Sequence, residues 1–230
     1  TADVVVIGGG LTGSVAAAVF AQAGLDVVLV EAGRLAEGST AASLGVIVPE
    51  PDADFRTVAA RAGRRSARTA WKLAERSAKE FATALGKMKV ACDLEPVSSW
   101  TNTASVEEVA AVRRDQAALR DAGLVARWAT AAAAAAELGT RSLGARVSRA
   151  AFTFDPVKAT LGLAARAGDR GARIFEQSSV KRTRFTRKDA RVILEHGSIV
   201  TSFVFGATGE PGRLFSQLRR HVQRRDGYVV

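Results

Sequence analysis

Three glycines, Gly8, Gly10 and Gly13, sit between the apolar run DVVVIG at 3–8 and the alanine-rich stretch Leu11 to Ala23. An acid, Glu31, closes the next apolar run, DVVLVE at 26–31. The residue types suit a nucleotide diphosphate. Gly8 permits a tight turn out of a strand, Gly10 removes the Cβ that would block a pyrophosphate, and Gly13 lets a helix pack closely on the strand. The helix start at Leu11 and Thr12 would offer free N–H groups and the positive end of its dipole to phosphate oxygens. Glu31 follows Gly10 by 21 residues, where a carboxylate can accept hydrogen bonds from ribose hydroxyls and repel a 2′-phosphate. The bland alternative is a glycine-rich turn that binds nothing. The motif by itself suits NAD and FAD equally.

A second set of small polar residues, Gly38, Ser39, Thr40 and Ser43, lies in a loop expected over 32–54. Such residues can approach a ligand closely, or merely connect two elements. Two histidines and one cysteine leave few partners for a histidine-dependent triad or a multi-histidine metal site, and no metal site is expected. Cys92 reads as a small buried apolar residue. His196 beside Gly197 reads as a solvent-facing turn residue, and His221 as part of a basic surface cluster. Trp71, Trp100 and Trp128 read as packing residues.

These residues need elements to hold them. The run at 3–8 has the Val/Ile content of a strand buried on both faces, and Leu11 to Ala23 reads as a helix stopped by Gly24. With the strand at 26–31 this makes a right-handed parallel β-α-β unit. A single long helix is expected over 57–86. Ala67, Trp71, Ala74, Ala78, Phe81 and Leu85 share one side of it, and Arg61, Arg64, Arg65, Arg68, Lys72, Arg76 and Lys79 form a stripe beside them. That stripe reads first as a solvated face and second as a contact for an anionic partner.

Strand pieces broken by Pro96 follow at 89–103. A helix is expected from Ser105 to Gly123, and another from Thr130 to Gly139. Residues 140–150 read as loop and Ala151 to Phe154 as a strand. Asp155-Pro156 supplies an N-cap and a first-turn proline for a helix running to Arg170. After a strand at 172–175, runs near 180–187, 191–195 and 199–206 read as a β-meander. A short helix is expected at 212–218, and the chain ends in the apolar Tyr228 to Val230.

Composition limits the classes. At 230 residues, 47% hydrophobic and 24% charged, the chain matches a folded globular protein rather than a disordered one. No apolar run approaches the roughly 20 residues of a membrane span. Lysine and arginine number 33 against 23 acids, a balance of +10. The excess is uneven, since residues 1–60 hold seven acids and only Arg34 and Arg56. This favours an anionic ligand or partner. Nucleic acid is not expected, because the basic helix carries only Trp71 and Phe81 as aromatics, both on its apolar side. A cytoplasmic location is expected; no signal segment is visible, and a missing N-terminus would hide one. The chain begins without methionine and stops in an apolar run, so it is expected to be a piece of a longer protein.

Several segments together resemble the D-amino-acid oxidase/glycine oxidase class of flavoproteins. DVVVIGGGLTGSVAAAVFAQAGLDVVLVEAG is similar to the FAD-binding start of that class, and GSTAAS at 38–43 to its Ser/Thr-rich loop. FDPVKATLGLAARAGDRGARIFEQSSV resembles its Asp-Pro helix and the strand leading to an adenine-side valine, here Val180. FGATG at 205–209 resembles its later Ala-Thr-Gly segment. Residues 55–150 match in pattern only. The resemblance implies an α/β fold: a Rossmann-like parallel-sheet FAD-binding domain with a β-meander at 1–88 and 140–218. Part of an α+β substrate domain would occupy 89–139 and 219–230.

It further implies FAD as cofactor, with Gly8, Gly10, Leu11, Thr12, Gly13, Glu31 and Ala32 on the ADP half. Gly38, Ser39, Thr40 and Ser43 would lie toward the pyrophosphate and the flavin ring. Val180 would meet adenine through its backbone, and Ala207, Thr208 and Gly209 would return to the cofactor. The implied reaction is hydride transfer to flavin from a small amine or amino acid, with oxygen or another carrier as electron acceptor. A 2-hydroxy-acid or glycerol-phosphate-type dehydrogenase is the first alternative. A non-catalytic nucleotide-binding protein with a basic partner surface is the second. The family's further flavin and substrate contacts lie toward its C-terminus, and nothing after Gly209 matches them, so no catalytic residue is assigned.

Overall fold

The computed structural model describes residues 1–209 together with Gln217 and Arg220. In chain order the elements begin with strand β1 (Ala2–Ile7), helix α1 (Leu11–Gln22), β2 (Val27–Val30) and β3 (Val46–Ile47). Helices α2 (Phe55–Ala62) and α3 (Arg64–Lys87), strand β4 (Glu95–Asn102), α4 (Val106–Asp121), β5 (Arg127–Ala129) and α5 (Ala131–Leu138) follow. The remainder is β6 (Ala145–Thr153), α6 (Pro156–Asp169), β7 (Arg173–Phe175), β8 (Val180–Phe185), β9 (Ala190–Leu194) and β10 (Gly197–Gly206). The expected helix at 212–218, His221 and the apolar end at 228–230 lie outside the described residues.

The chain divides into two compact units. The first takes residues 1–44, 88–92 and the described residues from 155 onward; the second takes 45–87 and 93–154. This differs from the expected division, which placed α2, α3 and residues 140–154 with the nucleotide-binding segments. The reason is packing. Trp71 of α3 shares a core with Phe55, Leu119 and Ala122, and β6 pairs with β4.

In the first unit six strands run in the order β7-β2-β1-β10-β9-β8. β7, β2, β1 and β10 are mutually parallel, as the β-α-β reading requires, and β10-β9-β8 form the expected antiparallel meander. β10 belongs to both parts. Residues 197–201 pair with β9, and residues 201–206 pair with β1. Among the described residues, 202–206 have no partner strand on their outer side.

Strand alternation sorts the core. Val5 and Ile7 of β1 join Val28, Val30 and Val192 in one apolar cluster, with Val180, Leu194, Ile199 and Val204 packed against it. Val6 points the other way, toward Gly13 of α1. α1 and α6 pack together through small residues, Ala16, Ala17 and Ala21 on one and Ala159, Ala164 and Ala167 on the other, all buried. Phe205 meets Phe20 edge-on at 5.8 Å between centroids, but its neighbour Phe203 is 70% exposed.

The second unit is built on an antiparallel sheet. β4 runs along one side of β6, with β3 and β5 on the other side at its two ends. Pro96 sits within β4 and pairs with Phe152, which an edge strand tolerates. β6 begins at Ala145, where a loop was expected up to residue 150. Its sequence ARVSRAAFT has little β-propensity, and its strand form comes from partners on both sides.

The expected helix over 57–86 is two helices, because Gly63 at φ +84° turns the chain between them. Asp54, Ser105, Thr130 and Asp155 each cap a helix by accepting backbone N–H bonds, and Ser105 forms a full capping box with Glu108. Three of these four were legible as caps. Asp54 was not, since it lay in the expected loop.

Asp54 has a pH signature. The Thr57 hydroxyl and then the Thr57 N–H hold its carboxyl below the usual carboxylate range. A group lowered on folding stabilises above its unfolded pKa, near 3.8, and loses that contribution as pH falls through the lowered folded value. Asp54→Ala should therefore cost about 1 kcal/mol near neutral pH. In thermal melts the difference between parent and variant should shrink toward zero in strong acid. A difference constant across pH would show that the carboxylate is not the cap.

Candidate functional site

The turn from β1 into α1 is closed by contacts that admit no side chain. A Cβ on Gly13 would stand 1.8 Å from the carbonyl oxygen of Gly8. A Cβ on Gly8, whose φ is +111°, would stand 2.3 Å from the Ala207 carbonyl oxygen. The constraint on Gly8 is thus double, a backbone angle that disfavours L side chains and a neighbouring chain segment. Ala207 is fixed there because its N–H donates to the Ile7 oxygen at 2.8 Å. β10 therefore delivers Ala207, Thr208 and Gly209 to the glycine turn.

Gly10 precedes α1 and offers no side-chain cap. Its missing Cβ would fall 2.9 Å from Thr40 Oγ1, and that oxygen accepts the Leu11 N–H at 3.2 Å. Thr40 is buried, whereas Gly38, Ser39 and Ser43 are exposed. Of the small polar loop residues, Thr40 is the one the fold brings to the helix N-terminus. Thr12 is exposed on the first turn and Leu11 is half-buried.

Glu31 stands just past the end of β2. One carboxylate oxygen accepts from Gly9 N at 2.6 Å and the other from Gly33 N at 2.8 Å. Its backbone N–H donates to Phe175 O, and its carbonyl accepts from Ser178 N at 2.7 Å. The side chain ties the glycine turn to the turn at 32–33, and each oxygen retains further lone pairs for a ligand hydroxyl. Ala32 is exposed beside it. Val180 lies at the start of β8, half-buried, with its side chain against the cluster of Val5, Ile7, Val28 and Val30.

Among the described residues, two buried hydroxyls near this turn lack a protein partner, Ser14 Oγ on α1 and Thr208 Oγ1. A buried polar atom without a partner costs free energy unless a ligand or water supplies one. The start of α1, where Gly10 supplies no side-chain cap, and the Thr208 hydroxyl suit an anionic ligand lying along the turn. Gly9 was absent from the sequence-derived candidates, although its Cβ would clash with Leu35 and Glu31 and its N–H holds Glu31. The run of three consecutive glycines was its signal.

A second polar constellation, in the second unit, was missed. Arg146 of β6 reaches Glu50 at 2.6 Å and Asp115 at 2.8 Å, all three largely buried. Ser148 donates to Glu50, and Asp115 accepts the Arg56 N–H. The network borders a cleft of about 600 Å³ whose wall includes Asp52, Asp54, Thr101 and Val112. Nothing in sequence spacing links positions 50, 115 and 146. No cluster with metal-ligand composition occurs among the described residues. Cys92 is buried and His196 exposed, as expected.

The glycine contacts predict a sharp contrast. Gly13→Ala should destabilise the fold by about 3 kcal/mol or more, as overpacking against backbone cannot relax. Gly168 lies in α6 with nothing within 4 Å of its would-be Cβ, so Gly168→Ala should stabilise by roughly 0.5–1 kcal/mol. Denaturant midpoints of the two variants check both signs.

A family model described as FAD dependent oxidoreductase matches residues 3–230. No curated protein matches the sequence. Among solved structures, glycine oxidase from Bacillus cereus is similar with a TM-score of 0.76 and 21% identity, over 96% of this chain and 59% of that one. Glycine oxidase from Geobacillus kaustophilus gives 0.79 and 19%, over 94% and 58%. L-α-glycerophosphate oxidase from Mycoplasma pneumoniae, with FAD bound, gives 0.73 and 17%, over 95% and 57%. The chain thus spans less than two thirds of each.

Proposed function

The chain belongs to the FAD dependent oxidoreductase family, and from that premise we propose that the whole protein oxidises a small amine or amino acid. The observation that carries this reading is the family match over residues 3–230, which includes a glycine turn that admits no side chain at Gly8 or Gly13. The likeness to two glycine oxidases supports an amine substrate. The likeness to a glycerophosphate oxidase supports a second reading, a substrate whose reacting carbon bears a hydroxyl.

FAD, when bound, supplies the two-electron acceptor for that carbon. The residues present fit the group. Gly10, Thr12 and Gly13 would offer backbone N–H groups to the diphosphate at the start of α1, while Gly8 and Leu11, whose own N–H groups are bonded to Val30 O and Thr40 Oγ1, would shape the turn beside it. Thr40 accepts from Leu11 N in the structure, and its own proton is available to a phosphate oxygen. Glu31 and Ala32 would border the ribose and Val180 the adenine. Gly38, Ser39 and Ser43 would extend toward the flavin ring. Thr208, whose hydroxyl is buried without a partner, would donate to the cofactor, with Ala207 and Gly209 on either side. In this reading the first unit is the cofactor domain and the second unit is part of the substrate domain. The chain's contribution to rate is orientation of cofactor and substrate, with oxygen or another carrier taking the electrons onward.

The whole protein, as purified, should be yellow and release FAD on denaturation. A colourless protein that binds NADH tightly and no flavin would overturn the reading. Glu31→Gln should weaken FAD binding by roughly 1–3 kcal/mol, the usual scale for a hydrogen bond to a charged group. An unchanged dissociation constant would remove Glu31 from the ribose site.

The 230-residue chain by itself should bind flavin loosely and turn over amino acids negligibly. The comparison is flavin occupancy and peroxide release or dye reduction, against the whole protein, with glycine, other amino acids and glycerol phosphate as substrates. Full activity of the 230-residue chain would move the substrate site into residues 89–230. Turnover of glycerol phosphate without amino-acid turnover would favour the hydroxyl substrate.

A further inference from the structure

We propose that the exposed basic face of α3 docks the protein on an anionic phospholipid surface. Arg64, Arg65, Arg68, Lys72, Arg76 and Lys79 are all exposed. At 100° per residue they occupy an arc of about 120°, along about 24 Å of helix. The buried residues Ala67, Trp71, Ala78, Ala82 and Leu85 lie on the adjoining arc, so folding already uses the apolar side. Only Glu75 interrupts the basic arc, and it is bonded to Lys79. Arg76 is paired with Glu80. Arg64, Arg65, Arg68 and Lys72 make no ion pair among the described residues, and exposed Arg61 adds a fifth cation on the last turn of α2.

This arrangement works against the helix that carries it. The first turn of α3 holds Arg64 and Arg65 and no acid. Cations at a helix N-terminus oppose the macrodipole and destabilise the helix. Four unpaired cations within about three turns also repel one another. An anionic surface removes both penalties.

The shape of the stripe selects the partner. The stripe runs along one face of a helix, with Lys79 at its end bordering a cleft, and the aromatics of α3 do not serve as stacking platforms: Trp71 is buried and Phe81 packs edge-on against Phe154. Single-stranded nucleic acid would need such platforms. A bilayer surface asks only for clustered Lys/Arg within reach of anionic headgroups. Leu73, 44% exposed beyond one edge of the stripe, adds an apolar side chain for the interface. No described helix is long and apolar enough to cross a membrane, so the contact is peripheral.

The test uses the whole flavin-loaded protein and vesicles of phosphatidylcholine with or without one quarter phosphatidylglycerol. Flotation should recover the protein with the anionic vesicles alone, and raising salt severalfold should abolish recovery. Arg64→Glu, Arg65→Glu, Arg68→Glu and Lys72→Glu combined should lower vesicle partitioning at least about a hundredfold. The same four positions changed to Gln should give a smaller loss. A matched reversal in the first unit, at Arg182, Arg184, Arg187 and Lys188, should retain most of the binding. Flavin occupancy and circular dichroism should match the parent in every variant. Equal loss from the two reversals would show a response to net charge and overturn the proposal. So would failure of the parent to bind anionic vesicles, or binding of duplex DNA through α3 without binding of vesicles.

Discussion

The contact between Gly8 and Gly13 is the constraint on which the first unit depends. The Gly8 carbonyl lies so close to Cα of Gly13 that no side chain fits between strand and helix. That closeness sets the angle at which α1 leaves the sheet, and with it the direction of the helix N-terminus. Ala207 presses on Gly8 from the other side, held by its bond to Ile7. Two segments about 200 residues apart in sequence therefore meet at one glycine. Glu31 then locks the edge of the same turn through Gly9 and Gly33. Each of these contacts is made within the chain itself, so the turn takes its shape without a ligand.

The second unit answers to a different constraint. Arg146 places a guanidinium between Glu50 and Asp115 in a largely buried position. Removing one member of such a network leaves an uncompensated buried charge, so the three residues stand or fall together. They join the loop before α2, helix α4 and strand β6. The sheet and the helices of this unit are thereby held by electrostatics as well as by the Phe55–Trp71 core.

Legibility in the sequence followed the range of the interactions. The β-α-β unit could be read because Val/Ile runs, three glycines and an acid state their roles locally. The caps at Ser105, Thr130 and Asp155 and the meander turns were readable for the same reason. The break at Gly63 was missed because helical periodicity on both sides of it is strong, and a single glycine does not announce a positive φ. β6 was missed over 145–150 because its strand form is imposed by β4 and β5. Burial of the Thr208 hydroxyl, the Thr40 bond to Leu11 and the Arg146 network are tertiary facts with no local sign. The candidate residues came from the glycine motif and its acid and, for the rest, from a resemblance, and the geometry separates them into a core of Gly8, Gly10, Gly13, Glu31, Thr40 and Ala207 and an exposed periphery of Gly38, Ser39 and Ser43.

The outer side of β10 over residues 202–206 has a consequence for dissecting this protein. Its backbone donors and acceptors form an open parallel edge among the described residues, and Phe203 stands exposed beside it. An edge of this kind recruits any extended segment that can match its hydrogen bonds, whether from elsewhere in the same polypeptide or from a neighbour. It makes β10 the natural seam for a split-protein design, in which a separately expressed fragment completes the sheet in trans. It also makes β10 the first strand to cap with charge in any shortened version meant to stay monomeric.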